Sequence, residues 1–172
     1  LPSSGEDWFE LYNPELQPVA LGGLWLSDEL GSSSARMQQQ MPALSFLGCV
    51  TNAYVRLYAD RNPAAGADHV DFKLNGTDGE AIGISTADGV LLDGVSFGPQ
   101  QPGVSEGRLP DGDPAHAVFL DTASPGAANY LRLTNVVINE VLAHSRLPLE
   151  DAIELHNVSA EPVDLSGWYL SD

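Results

Sequence analysis

The sequence predicts an all-β fold of the sandwich type, with antiparallel strands and little or no helix. Three observations carry that expectation. Apolar residues come in short runs rather than at helical spacing, turn dipeptides punctuate them at near-regular intervals, and 17 Gly and 12 Pro leave few windows long enough for a helix. A hydrophobic content of 43% is enough to build a packed core.

The elements follow in chain order. Trp8, Phe9, Leu11 and Tyr12 form the first strand, with Glu10 between them. Val19, Leu21, Leu24 and Leu26 form the next, broken at Gly22-Gly23, where a turn or bulge is expected. Ser34–Met41 lacks an apolar face and reads as a surface loop or one short turn. Further strands are expected at Ala43–Leu47, Ala53–Tyr58, Val70–Leu74, Ala81–Ile84, Val90–Phe97 and Ala117–Leu120. Asn62-Pro63, Asn75-Gly76, Asp78-Gly79, Pro110-Asp111-Gly112 and Ser124-Pro125-Gly126 mark turns. Asp88-Gly89 predicts a hairpin turn, because both residues tolerate positive φ.

An internal repeat sets the domain organisation. Asp7–Asp28 returns as Asp151–Asp172 at a constant offset of 144 residues, without gaps, and 11 of 22 positions are identical. The shared residues are Asp7, Glu10, Leu11, Asn13, Pro18, Val19, Leu21, Gly23, Leu26, Ser27 and Asp28 with their partners. Solenoid repeats have periods of roughly 20 to 50 residues, so a unit this long is a tandem domain. The expected layout is a first domain over 1–129, a linker over 130–135, and the opening part of a second copy over 136–172. Val136–Leu142 opens copy two, and copy one shows no counterpart. The chain is therefore expected to be a piece of a longer protein. Val136–Leu142 is expected to fold back and complete the first sandwich, since open strand edges are costly.

Charge excludes some partners. With 24 acidic residues against 7 basic ones the formal net charge is -17, and Lys73 is the only lysine. Such a surface repels phosphate backbones, so nucleic acid is not an expected partner. No apolar run approaches the roughly 18 residues of a membrane helix. The single cysteine, Cys49, rules out an intrachain disulfide and a thiolate zinc cluster, and lies in an apolar run that suits a buried structural thiol.

These residues resemble the lamin-tail domain family, in its prokaryotic type. The resemblance rests on Val136–Val141, on the Glu-Leu-x-Asn strands Trp8–Asn13 and Ile153–Asn157, and on Asp164–Asp172. It continues through Asp78–Glu80, Asp88–Asp93, Ser105–Gly112 and Thr122–Asn129, with a departure at Ala20–Trp25. The resemblance implies an immunoglobulin-like β-sandwich. It also implies an extracellular or cell-surface bacterial setting, in which such modules accompany hydrolases, calcium-binding repeats or anchoring segments.

Local chemistry points the same way. Gly94-Val95-Ser96-Phe97-Gly98 matches a nucleophile elbow, but Pro99 and Pro102 follow where that chemistry needs a helix. His69, His116, His144 and His156 show no metal-ligand spacing, and His156 occupies the slot of Tyr12. Asp68-His69-Val70-Asp71 and Asp111-Gly112-Asp113 offer oxygens to calcium without the spaced run of an EF-hand. Arg108 suits a loop anchor. Asn75-Gly-Thr77 and Asn157-Val-Ser159 match glycosylation sequons, which count only in a eukaryotic secretory setting, and Asn75-Gly76 is more simply a hairpin turn. No catalytic, cofactor or metal residue is assigned. The expected function is a non-catalytic binding or spacer module of a secreted or surface multidomain protein, with a protein or glycan partner. The alternative is a carbohydrate- or substrate-targeting accessory domain of an extracellular hydrolase, using a loop aromatic such as Tyr58 or Trp25.

Overall fold

The computed structural model describes residues 6–171. It divides into two compact units, one through Tyr130 and one from Leu131. Every ladder between its strands is antiparallel, and one 3₁₀ turn, Val50–Asn52, interrupts them.

In the first unit, β1 (Trp8–Tyr12) pairs with β6 (Tyr54–Tyr58), and β2 (Val19–Ala20) pairs with β5 (Phe46–Leu47). A four-stranded sheet runs in the order β4 (Gln39–Gln40), β3 (Trp25–Ser27), β7 (Glu80–Ser85), β8 (Leu91–Phe97). A last ladder joins β9 (Ser105–Arg108) to β10 (His116–Phe119). The core sits between the sheets: Phe9 and Leu57 from the β1–β6 ladder meet Leu26 from β3 and Leu47 from β5, with Leu21, Met41, Val70 and Phe72. Phe9 and Phe72 stack at 5.9 Å between ring centroids. Each such fully buried large side chain contributes roughly 1.5–3 kcal/mol. The architecture is all-β, in sandwich-like layers.

The hydrophobic pattern located most strands, and three details differ. Val70 and Phe72 are buried as an inward-facing alternation requires, but 70–74 forms only isolated bridges, Tyr58 to His69 and Asp60 to Lys73. Asn75-Gly76 therefore closes a loop rather than a hairpin. At the β7–β8 hairpin Gly89 takes φ +77° and Asp88 stays in the ordinary region, giving a three-residue loop closed by Thr86 N–H to Val90 C=O at 2.9 Å. Cys49 is half-buried, because it sits in extended backbone ahead of the 3₁₀ turn.

In the second unit, β11 (Val136–Leu142) pairs with β12 (Ala152–Asn157), with a bulge between Ile138 and Glu140. The strand forms its ladder with its sequence neighbour, and a short connection costs less closure entropy than a return across the chain. Among the described residues of this unit none is buried.

Candidate functional site

A shallow apolar groove lies at the β2–β3 turn of the first unit. Gly23 takes φ +84°, which an L side chain adopts only with strain, and lets the chain reverse after Leu21. Leu21 and Gly22 both donate N–H to the Ser45 carbonyl, at 2.8 and 3.2 Å, and Gly23 donates to Met41 at 3.1 Å. The 41–45 segment thereby lies flat against the turn. A β-carbon on Gly22 would stand 3.1 Å from the Leu44 nitrogen, so glycine is what allows this approach.

The result is a cavity of about 440 Å³ lined by Ala20, Gly22, Gly23, Met41, Leu44 and Phe46, among others. Leu44 and Phe46 stand on its rim, 86% and 63% exposed. Leu44 holds φ +66° and nearby Val50 φ +55°, conformations that cost a side-chain-bearing residue about 1 kcal/mol or more. An exposed apolar residue in a strained backbone state gains nothing from burial, so folding alone does not explain the arrangement. The sequence placed Ala43–Leu47 in a strand. It carried no signal for the turn that points Leu44 outward.

Two polar clusters lie elsewhere in the unit. In the first, Tyr54 donates its hydroxyl to Asp111 at 2.6 Å, and Asn129 N–H donates to the other Asp111 oxygen at 3.0 Å. Asn129 Nδ2 donates to the Arg108 carbonyl at 3.1 Å, and Tyr12 stacks on Tyr54 at 4.8 Å. Burial, then the hydrogen bond and charge of Asp111, push the Tyr54 phenol far up. Burial also raises the Glu10 carboxyl, against the opposing pull of the Gly126 N–H. Arg108, the last residue of β9, pairs with Asp93 of β8 at 2.7 Å, a contact between strands rather than within a loop. Three separated sequence motifs thus meet in one network that fastens the loops around Pro110 and Pro125 to β1 and β6.

In the second cluster His69 Nδ1 lies 2.7 Å from Asp60, the His69 ring stacks on Tyr58 at 5.0 Å, and the Arg56 guanidinium lies over the Tyr58 ring at 4.9 Å. Burial raises the Asp60 carboxyl, but hydrogen bonds from His69 and the Asn62 N–H outweigh it and hold the group below its ordinary range.

No family model, no curated protein and no solved structure matches this chain. The site is therefore judged on its own geometry.

The residues singled out in the sequence do not converge. Ser96 lies in β8 opposite Ala81, exposed, and the chain after it is irregular rather than helical, so the elbow geometry is not formed. Asp111 is engaged by Tyr54 and Asn129, and Asp113 accepts the Ala115 N–H at 2.8 Å. Among the described residues no group of three or more His, Cys, Asp or Glu is placed to hold a metal ion. Asn75 and Asn157 both engage their side chains in local turns. Tyr58 and Trp25 sit in strands and are half-buried, so neither is the loop aromatic that glycan stacking needs. Phe46 and Tyr130, at 63% and 53%, are the better exposed rings of the first unit.

Proposed function

We propose that this chain is a non-catalytic binding and spacer module, built from lamin-tail-like immunoglobulin-like domains, in a secreted or cell-surface bacterial multidomain protein. The observation that carries the binding reading is the groove beside Leu44 and Phe46, whose apolar rim is held out by strained backbone. Strain of that kind persists where function rather than packing requires it. The tandem reading is supported by the repeat, whose two copies build the same local turns from the same residues. An acidic surface favours partners that are neutral or cationic.

The partner class is a protein segment or a glycan at the cell surface. Phe46, an exposed ring on the groove rim, favours the second reading, a carbohydrate- or substrate-targeting accessory domain, because sugar faces stack on exposed aromatics. One experiment covers both. The full chain is screened against a glycan array and against cell-surface protein fractions, and hits are repeated with Phe46→Ala and Leu44→Asp. Binding that both substitutions remove, at unchanged melting temperature, supports the groove. Binding untouched by either moves the site elsewhere, and hydrolysis abolished by Ser96→Ala would overturn the non-catalytic reading.

A further inference from the structure

We infer that the groove beside Leu44 and Phe46 takes an uncharged saccharide, whose hydroxyls are read by the Gln40 side-chain amide and the Ser45 hydroxyl. The inference rests on the binding reading above and narrows its partner to one chemical class.

The sequence around the groove sets the first limit. Charged residues make up 18% of the chain, yet residues 16–26 and 37–55 hold no Asp, Glu, Lys, Arg or His. Every residue lining the groove comes from these two segments. Burial does not explain the absence, since Val19, Gln40, Leu44, Phe46 and Asn52 among them are exposed. The arginines that bound the second segment are engaged elsewhere. Arg36 donates to the carbonyls of Leu30, Gly31 and Gly89, and Arg56 lies over the Tyr58 ring. At a formal net charge of -17, an anionic ligand meets repulsion that no cation in the groove offsets. A cationic ligand finds no carboxylate there to fix its position. The groove matches a neutral ligand.

Backbone hydrogen bonding sets the second limit. Leu21 and Gly22 donate to Ser45, Gly23 donates to Met41, Met41 donates to Leu24 at 2.8 Å and Ser45 to Pro42 at 3.2 Å. These internal bonds leave the turn without the alternating open amides that an added peptide strand needs. Side-chain chemistry is what stays open. Among the described residues no hydrogen bond engages the Gln40 amide or the Ser45 hydroxyl, and both line the groove. An amide and a hydroxyl each donate and accept without carrying charge. Sugar hydroxyls do the same, so the pair can bond them in either sense. Beside them the exposed Phe46 ring offers a flat π face, on which the apolar C–H face of a pyranose packs.

The test titrates the full chain by calorimetry with short oligosaccharides. The neutral set is built from glucose, mannose, galactose or xylose; a galacturonic acid oligomer, a glucosamine oligomer and an apolar peptide complete the panel. At least one neutral oligosaccharide is expected to bind, with an affinity that changes by less than about twofold over an about tenfold rise in salt. Phe46→Ala should weaken it by about tenfold or more, and Gln40→Ala by about three- to tenfold, both at unchanged melting temperature. A galacturonic acid oligomer, glucosamine oligomer or peptide whose binding Phe46→Ala removes would overturn the saccharide class and leave the groove reading standing. A neutral oligosaccharide that neither substitution weakens would also overturn the inference, and so would a neutral set that stays unbound at about millimolar concentration. The groove reading itself fails on a different result, namely partners indifferent to both Phe46→Ala and Leu44→Asp.

Discussion

The two units carry one sequence pattern in two surroundings, and comparing them separates local from tertiary causes. Asn13 and Asn157 make the same turn: each accepts an N–H two residues on, from Glu15 at 3.0 Å and Ser159 at 2.9 Å, and each donates to a carbonyl four residues on, at 2.9 and 2.8 Å. Gly23 and Gly167 hold φ +84° and +78°, followed by equivalent 3.1 Å bonds from Leu24 to Leu21 and from Trp168 to Leu165. These features need only the residues themselves. What differs is what surrounds them. Asn13 also donates to the Gly48 carbonyl, 35 residues away in sequence, at 2.7 Å. Leu26 is 0% exposed in its sheet, and its counterpart Leu170 is 62% exposed.

The sharpest way to break this comparison is to truncate both leucines. Leu26→Ala should destabilise the first unit by about 2–5 kcal/mol, the cost of a cavity in a filled core. Leu170→Ala should change stability by no more than about 0.5 kcal/mol. Denaturant titration of both variants checks the pair; equal effects would mean that the second unit builds its own core in solution.

The next contrast is polar. Asn13→Ala removes a buried side chain, leaves the half-buried Gly48 carbonyl without its donor and opens the turn, and should cost roughly 1–3 kcal/mol. Asn157→Ala loses only exposed turn bonds and should cost about 0.5 kcal/mol. Amide exchange at Glu15 and Ser159 should speed up in the respective variants, which shows that the turn is built alike in both.

A smaller effect tests the groove. Leu44→Gly relieves the positive φ at a residue with little burial to lose, so stability should rise by up to about 1 kcal/mol, offset in part by the added freedom of the unfolded chain. A loss of stability in thermal melts would mean that Leu44 packs rather than protrudes.

Smallest, and read by sign alone, is the pH response within the first unit. The Glu10 carboxyl lies above its ordinary 4.5, so between the two values the native state holds the extra proton and stability falls as pH rises through that window. Asp60 lies below its ordinary 3.8, so its contribution is full above 3.8 and is lost as pH falls through the native value. Glu10→Gln should flatten the first slope and Asp60→Asn the second, in melts run across acid pH. A common sign for both would contradict the burial of one and the hydrogen bonding of the other.

Much of the fold was legible because strand patterns and turn chemistry act over a few residues. Trp8–Tyr12, Tyr54–Tyr58, Glu80–Ser85 and Leu91–Phe97 announced themselves by their apolar runs, and Asp88-Gly89 by its turn. Gln39–Gln40 and Ser105–Arg108 did not, since each is polar and becomes a strand only by pairing with Trp25–Leu26 and with His116–Phe119. The candidate groove was less legible still. Leu44 and Phe46 look like core residues in a linear reading, and only the approach of the Gly22-Gly23 turn to residues 41–45 leaves them outside.

From sequence alone came the β class, the repeat, the acidic surface, and the asparagine and glycine turns, since each depends on composition or on bonds within about four residues. Tertiary structure decided how the polar segments Gln39–Gln40 and Ser105–Arg108 become strands and which apolar side chains of the first unit face water. Those outcomes depend on surfaces brought together from distant parts of the chain, and hydrophobic burial has no direction of its own until such a surface is present.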